Sequence, residues 1–201
     1  MTTSTPQTSP GAAATGVPAT SAERRRLIAS LIRDIPDFPK QGVGFKDITP
    51  LLGDAAGFRA TIDELVAAAP PGIDVVVGME ARGFIVGAPV AIALGAGFVP
   101  VRKPGKLPAE TYEVSYDLEY GRETLTIHTD AIRQGSRVLV VDDVLATGGT
   151  LAATARLIQR SGAELVHVAV LMELAFLQPR TRLAEAGLGD TEITALVTVD
   201  A

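Results

Sequence analysis

The chain has 201 residues and a mass of 20.9 kDa, with 18 basic against 23 acidic residues. Its hydrophobic content of 47% is sufficient for one soluble globular domain with its own core. Because there is no cysteine and there are only two histidines, cysteine-based zinc sites and a catalytic cysteine are excluded. The acidic balance argues against a partner nucleic acid held by phosphate neutralisation.

The first twenty residues differ in composition from the rest of the chain. Residues 1–20 are mostly Thr, Ser, Pro, Gly and Ala without any charge, which predicts a disordered tail before one domain at 21–201. They lack the basic start and the apolar stretch of a secretory signal. Glycines and prolines interrupt the weakly polar stretch 83–101, so no membrane span is expected and the expected location is cytoplasmic.

Two helices are predicted before the first buried strand. Thr20 and Glu23 have the spacing of a capping box, and the apolar residues behind them share one helical face as far as Asp34. The proline-rich stretch 36–50 ends that helix and is expected to be an ordered loop. A second helix follows, with Asp54 as its N-cap.

From residue 75 onward, buried strands alternate with helices. Four apolar runs without polar alternation are typical of strands covered on both faces. The strands are predicted at 75–77, 98–101, 138–141 and 166–171, and the helices between them at 83–94 and 150–161. This order predicts an α/β fold with a central, mainly parallel sheet flanked by helices.

Strict alternation of apolar and polar residues interrupts this order at residues 112–129. The alternation runs from Tyr112 to Tyr120, stops at Gly121 and Arg122, and then resumes. The pattern predicts an antiparallel hairpin that turns at Gly121 and Arg122 and has one apolar face. We expect this hairpin to form an arm or hood beside the main sheet.

The strongest chemical signal is the segment 137–150, where a buried strand ends in two acids and a loop rich in glycine and threonine leads into a helix. Ligands of parallel sheets bind where strands end and helices begin. Glycines allow close backbone approach, and free amide groups at a helix start bind anions. The acids are placed to accept hydrogen bonds from ribose hydroxyls. The candidate residues for a phosphorylated sugar are Asp142, Asp143, Ala146, Thr147, Gly148, Gly149 and Thr150.

On the residues alone, an alternative remains for this segment: the acids cap the helix and the glycines only form a tight turn. Two further segments at strand ends are basic. Arg82 lies in a glycine turn and offers a planar guanidinium that suits a diphosphate, although it is also compatible with an ordinary surface arginine. Arg102, Lys103 and Lys106 belong to the basic segment (residues 102–108), which is either a solvated connection or a cover that excludes water from a pyrophosphate.

Six segments together resemble the adenine phosphoribosyltransferase family in order and spacing. They are IPDFPK (35–40), FKDITP (45–50), EARGF (80–84), RKPGKLP (102–108), LEYG (118–121) and DDVLATGGT (142–150). The last is similar to the signature by which type I phosphoribosyltransferases bind 5-phosphoribosyl 1-pyrophosphate (PRPP). The resemblance covers the chain from about Ala22 onward. It implies the type I fold with a hood, a homodimer, and transfer of the phosphoribosyl group of PRPP to adenine, giving AMP and pyrophosphate.

The resemblance also implies where the base binds. Adenine would lie between Phe45 and Leu174, with backbone groups of Val43 and Gly44 at its edge. On the residues alone, Phe45 is an aromatic that anchors its loop. The sequence departs from the usual family pattern at Gln41, Gly44, Lys46 and Met79, and Gly44 removes apolar contact beside the base, which bears on affinity rather than on reaction type.

For catalysis, the resemblance implies that Glu119, next to Tyr120 on the flexible arm, takes the N9 proton of adenine. On the residues alone, Glu119 is an exposed strand residue. Mg²⁺ would arrive with PRPP, without a metal site of protein ligands. The groups that would contact the pyrophosphate are the backbone N–H of Ala81 and the side chains of Arg82, Arg102, Lys103 and Lys106.

Three other functions compete with this interpretation. Phosphoribosyltransferases for another purine base or for orotate share the phosphate loop and differ around the base. A non-catalytic regulator that senses PRPP would need a DNA-binding module, which the uncharged residues 1–20 do not supply. A purely structural α/β domain would have no need of three anion-binding features at one sheet edge.

Overall fold

The fold is built on one five-stranded sheet whose strands are all parallel, in the order β4-β3-β7-β8-β9. The computed structural model describes residues 16–118 and 121–200. The strands are β1 (Arg33–Ile35), β2 (Phe45–Asp47), β3 (Val75–Met79), β4 (Gly97–Val101), β5 (Thr111–Leu118), β6 (Gly121–His128), β7 (Arg137–Leu145), β8 (Glu164–Leu174) and β9 (Ile193–Val199). The predicted α/β class is confirmed.

Helices cover both faces of this sheet. They are α1 (Ser21–Ser30), α2 (Thr49–Gly53), α3 (Ala55–Ala68), α4 (Arg82–Leu94), α5 (Gly149–Arg160) and α6 (Pro179–Leu183). Within residues 16–118 and 121–200, no helix has the length and apolar composition needed to cross a bilayer.

The sheet separates two apolar cores because successive residues of a strand point to opposite faces. In β7, Val138 and Val140 pack on the side of α5 and the hairpin, whereas Leu139 and Val141 pack on the side of α1, α3 and α4. All four side chains are fully buried. This explains why the strand lacks polar alternation in the sequence.

The N-terminal helix begins as predicted but ends earlier. Thr20 and Glu23 form the capping box. The helix ends at Ser30, and the prediction that it reaches Asp34 is wrong because Arg33–Ile35 pair with Phe45–Asp47 as an antiparallel ladder. The proline that follows also disfavours helical backbone at the residue before it. Strands β1 and β2 thereby close the loop between them at both ends.

Residues 1–15, which belong to the predicted disordered tail, lie outside the described residues. Val17 packs against the core and Thr20 caps α1. The tail and the domain boundary stay predictions.

The hairpin is confirmed, but its turn is displaced. Strand β5 pairs with β6 from Thr111↔His128 to Leu118↔Gly121. Gly121 and Arg122 therefore belong to the second strand, and the prediction that the chain turns at these two residues is wrong. Apolar residues of the hairpin face the α5 side of the sheet and extend that core.

The edge strand β9 and the short helices α2 and α6 are elements that the sequence interpretation did not include. Strand β9 is apolar except for Thr194 and Thr198, and it pairs with β8 on one side only. It adds the fifth strand beside β8, whose last residues border the candidate site.

Candidate active site

Three predicted strand-end features meet at the carboxyl edge of the sheet. A cavity of about 230 Å³ lies between the ends of β3 and β7 and the start of α5. Its walls include two segments predicted from the sequence: residues 79–82 and residues 142–148. Thr150 also lines it. The geometry thus brings together groups that are more than 60 residues apart in the chain.

The phosphate loop (residues 146–150) connects β7 to α5. Gly148 has φ +84°, a conformation that side chains disfavour, and a Cβ there would lie 3.2 Å from the carbonyl oxygen of Pro179. Among the described residues, no side chain caps α5. The amide groups of its first turn are therefore available to an anion.

Strand β7 continues beyond the predicted end at residue 141 because its backbone stays paired with β8 as far as Leu145↔Glu173. Asp142 and Asp143 therefore lie within the strand rather than after it. Asp143 is 4% exposed, and its Oδ2 is 2.8 Å from Nε of Arg82. This ion pair connects the strand end of β7 to the start of α4.

Burial controls the protonation of this acid pair. Desolvation raises the pKa of Asp142 well above its ordinary value, and the neighbouring charge of Asp143 raises it further. Desolvation also raises the pKa of Asp143, although the guanidinium of Arg82 opposes that rise. Gly83 makes room for Asp142, since a Cβ on Gly83 would lie 2.5 Å from Oδ1 of Asp142. The sequence analysis had assigned no role to Gly83.

Arg82 also reaches the loop that was predicted to hold the base. Its guanidinium carbon lies 5.4 Å from the centroid of the Phe45 ring, and that ring meets Phe38 edge to face at 5.1 Å. Arg82 thus contacts an acid of β7 and an aromatic of the loop between β1 and β2 at once.

A partly buried acid, Glu80, which was not predicted from the sequence, holds the basic segment. Glu80 accepts hydrogen bonds from Arg102 Nε at 3.0 Å and from the backbone N–H of Lys103 at 2.9 Å, and Lys106 Nζ is 4.0 Å away. Burial raises the pKa of Glu80, but these hydrogen bonds and cations outweigh burial and leave that pKa lowered. The only signal in the sequence was its place before Arg82.

The hairpin contributes a second network, which the sequence did not reveal. Lys103 Nζ lies 2.7 Å from Oε1 of Glu123, and Tyr116 donates to Oε2 of the same carboxylate at 3.0 Å. The Tyr116 hydroxyl is also 3.0 Å from Oγ1 of Thr150. The hairpin therefore touches both the basic segment and the phosphate loop.

A second cavity, of about 780 Å³, lies beside the loop between β1 and β2. Three of the residues predicted to contact adenine line it, namely Val43, Gly44 and Leu174. A Cβ on Gly44 would have no neighbour within 4 Å, so the missing side chain leaves this space open. Phe45, the fourth predicted residue, turns its ring toward Arg82 and Phe38.

Two predicted residues cannot be located. Glu119 and Tyr120, the candidate base and its neighbour on the arm, lie outside the described residues. Their assignment stays a prediction. The remaining predicted residues are described, and those of the phosphate loop except Gly149 line one cavity together with Ala81 and Arg82.

Comparison with known proteins decides the family. Residues 47–186 match the model of the phosphoribosyl transferase domain. The adenine phosphoribosyltransferase of Cutibacterium acnes is 60% identical over 176 residues, which cover 88% of this chain and 98% of that protein. This chain belongs to the adenine phosphoribosyltransferase family.

Solved structures of adenine phosphoribosyltransferases agree with the fold. That of Rhodothermus marinus has a TM-score of 0.83 and 47% identity, and the match covers 89% of this chain and 99% of that one. That of Saccharomyces cerevisiae, in complex with an imino-altritol bisphosphate and adenine, has a TM-score of 0.78 and 37% identity, with 87% and 99% covered. The family, the type I fold and the enzyme class predicted from the sequence, a pentosyltransferase of purine salvage, are confirmed.

Proposed function

We propose that this adenine phosphoribosyltransferase works by holding PRPP across the cavity between β3, β7 and α5, with adenine entering from the loop between β1 and β2. The reaction transfers the 5-phosphoribosyl group of PRPP to adenine and gives AMP and pyrophosphate. One observation carries the assignment of PRPP to this cavity. A single cavity is lined by an uncapped helix start, by two acids and by an arginine.

The 5′-phosphate of PRPP is assigned to the phosphate loop. Amide groups at the start of α5 and the hydroxyls of Thr147 and Thr150 supply donors, and Gly148 and Gly149 permit close approach. The ribose hydroxyls donate to the carboxylates of Asp142 and Asp143, whose place in the same cavity supports this role. A sugar phosphate thus spans the junction between strand and helix.

The pyrophosphate group is assigned to the basic side of the cavity. The backbone N–H of Ala81 and the guanidinium of Arg82 line the cavity, and Arg102, Lys103 and Lys106 approach it through Glu80, which also lines it. Mg²⁺ would arrive with PRPP, held mainly by the diphosphate oxygens of that substrate, and would neutralise part of the charge on the leaving pyrophosphate. Carboxylate oxygens in the cavity are of the ligand type that Mg²⁺ accepts.

Adenine is assigned to the space between Phe45 and Leu174, at the edge formed by Val43 and Gly44. Its N9 lone pair forms the new bond to C1′ while the bond from C1′ to the diphosphate oxygen breaks, and those electrons leave with pyrophosphate. The N9 proton passes to the carboxylate of Glu119, which stands beside Tyr120 on the arm. General bases of this kind contribute about 10²- to 10⁴-fold in rate.

The protein stabilises opposite charges on the two sides of the breaking bond. Positive charge develops on the ribose, next to the acids, while negative charge grows on the leaving pyrophosphate, next to Arg82 and the basic segment. Donors fixed before the reaction stabilise such charge without reorganisation, which is a large contribution to catalysis. Closure of the arm excludes water, which would otherwise hydrolyse the activated ribose.

A homodimer is part of the proposal, and α4 supplies a surface for it. Ile92 is 81% exposed and Ile85 is 43% exposed, on one side of a helix next to the edge strand β4. Clustered large apolar side chains mark contact surfaces. Light scattering after size exclusion should give twice the chain mass, and Ile92→Glu should give the mass of one chain. A monomeric native protein would contradict the dimer.

A cytoplasmic location is proposed on the family resemblance.

A spectrophotometric assay tests the reaction and its base preference. PRPP and Mg²⁺ are supplied with adenine, hypoxanthine, guanine or orotate in separate reactions. We expect AMP from adenine and no product from the other three bases. If PRPP binds and none of the bases is consumed, the PRPP-sensing alternative replaces catalysis; if another base is consumed faster, the assignment of the adenine site is wrong.

A further inference from the structure

A lysine assigned to the pyrophosphate is already engaged by an acid of the hairpin. Lys103 Nζ lies 2.7 Å from Oε1 of Glu123, and both side chains remain partly exposed, at 53% and 33%. The two residues are 20 positions apart and come from the basic segment and from β6. The ammonium of Lys103 therefore has a defined resting position on the hairpin.

The carboxylate of Glu123 is in turn anchored to the phosphate loop. Its Oε2 accepts a hydrogen bond from Tyr116, whose hydroxyl is 3.0 Å from Thr150 Oγ1. The hydrogen bond from Lys103 lowers the pKa of Glu123, so this carboxylate is an acceptor at neutral pH. Because Tyr116 gives its one proton to Glu123, Thr150 must donate to Tyr116.

Packing reinforces the same connection. A Cβ on Gly149 would lie 3.1 Å from the Tyr116 ring, so the ring sits directly on the first residue of α5. Glu123 cannot follow Lys103 if the lysine moves, since its second oxygen is held by Tyr116. Lys103 has a flexible four-carbon stem and can move.

We propose that Glu123 is a positioning residue for Lys103: it holds the ammonium at a set place relative to the phosphate loop and competes with pyrophosphate for it. This inference rests on the proposed role of Lys103. Pyrophosphate takes the ammonium from Glu123 when PRPP binds, and Glu123 takes it back when the product leaves. The anchored carboxylate thus weakens pyrophosphate binding and favours its release.

The test is Glu123→Gln, with inhibition by pyrophosphate and the KM values for PRPP and adenine as readouts. Exposed ion pairs contribute about 0.5–1 kcal/mol, so we expect inhibition by pyrophosphate to strengthen about two- to fivefold. The KM for PRPP should fall to a similar extent, and the KM for adenine should not change. Glu123→Asp, which keeps the charge but shortens the side chain, should fall between Glu123→Gln and the native protein.

Glu113→Gln is the matched control, because Glu113 lies on the neighbouring strand of the same hairpin and is exposed. It removes the same charge and should leave pyrophosphate inhibition unchanged. If Glu123→Gln and Glu123→Asp both leave inhibition unchanged or weaken it, the inference is wrong. If Glu113→Gln strengthens pyrophosphate inhibition as much as Glu123→Gln does, the net charge of the hairpin, rather than the pairing with Lys103, is responsible.

The variant Lys103→Met distinguishes a failure of the inference about Glu123 from a failure of the proposed role of Lys103. This variant should weaken pyrophosphate inhibition, and adding Glu123→Gln to it should then have no further effect. If Lys103→Met leaves inhibition unchanged, the assigned role of Lys103 fails and the inference falls with it. If Lys103→Met weakens inhibition but Glu123→Gln still strengthens it in that background, Glu123 does not act through Lys103, and only the inference fails.

Discussion

The phosphate loop lines the cavity directly and the basic segment approaches it through Glu80, and the two are held in opposite ways. The loop comes from one continuous stretch of chain, and among the described residues no side chain caps α5 at its start. In the basic segment, by contrast, Arg102 pairs with Glu80 and Lys103 with Glu123. The loop therefore presents its amide groups to an anion as it stands, whereas under the proposed function Arg102 and Lys103 exchange their carboxylate partners for pyrophosphate.

Because of this difference, the free-energy cost of preparing the two regions for an anion arises at different stages. The two acids next to the loop, Asp142 and Asp143, lie in a low-dielectric site, so the cost of burying them is present in the unliganded protein. The cations bear no such cost, because their partners neutralise them until the substrate arrives. Four substitutions test this contrast.

Arg82→Gln should have the largest effect on activity. Arg82 lines the same cavity as the phosphate loop, pairs with Asp143 and contacts the Phe45 ring. Loss of one donor to developing charge costs about 10²- to 10³-fold in kcat. Steady-state kinetics measure this, with the exposed Arg156→Gln as control. A variant that keeps more than about a tenth of the native kcat would contradict the assigned role.

Asp142→Asn should lower kcat/KM by about 100-fold, because hydrogen bonds to charged groups contribute about 1.5–3 kcal/mol each. Its effect on stability should have the opposite sign. Burial raises the pKa of Asp142 above 3.8, so the native protein loses stability as pH rises through the folded value. The variant escapes this loss and should be more stable at pH 7 by about 1 kcal/mol, or about 2–4 °C in Tm.

The stability advantage of Asp142→Asn over the native protein should shrink as pH falls. Below the ordinary aspartate pKa of 3.8, Asp142 of the native protein is protonated in both the folded and the unfolded chain. Thermal unfolding at several pH values measures it. A variant that is less stable than the native protein at pH 7 would show that the acid pair stabilises the fold instead of straining it.

Gly148→Ala tests whether the loop is prebuilt. A Cβ there adds strain at φ +84° and a contact of 3.2 Å with the Pro179 carbonyl. We expect the KM for PRPP to rise about tenfold and the free energy of unfolding to fall by about 2 kcal/mol. Gly135 has φ +79° with no neighbour within 4 Å, so Gly135→Ala should lose about half of that stability and leave the KM unchanged. Equal KM values for the two variants would contradict a rigid loop.

Tyr116→Phe should have the smallest effect. It keeps the ring on Gly149 but removes the hydroxyl that touches Glu123 and Thr150. We expect stability to fall by about 1 kcal/mol and amide exchange to accelerate in β5 and β6 but not in α5. Tyr112→Phe on the same hairpin is the control. Faster exchange spread equally over α5 would mean that the hairpin and the loop are one unit.

The two regions also differ in how far the sequence predicts them. The phosphate loop was predictable because its chemistry and its geometry both reside in one segment, where glycines and threonines follow a buried strand. The partners of the basic segment were not predictable, because Glu80 and Glu123 meet Arg102 and Lys103 only when β3, β4 and the hairpin fold together. Local pattern does not encode which distant acid meets Lys103.

Several predicted boundaries of helices and strands were wrong for a similar reason. The end of α1 and the end of β7 were both misplaced, because pairing with β2 and with β8 decides them rather than local composition. The hairpin turn was displaced because Gly121 fits a turn by propensity, yet the register pairs it with Leu118. Each error arose where a tertiary contact outweighs the local signal.

A crystal structure with PRPP, Mg²⁺ and an adenine analogue that has carbon in place of N9 would test the central contrast most directly. Such an analogue cannot accept the phosphoribosyl group at that position, so the substrate complex is preserved. The account predicts that residues 146–150 keep their backbone positions around the 5′-phosphate, while the ammonium of Lys103 leaves Glu123 for the diphosphate. A phosphate loop that rebuilds on binding, or a Lys103 that stays with Glu123, would contradict it.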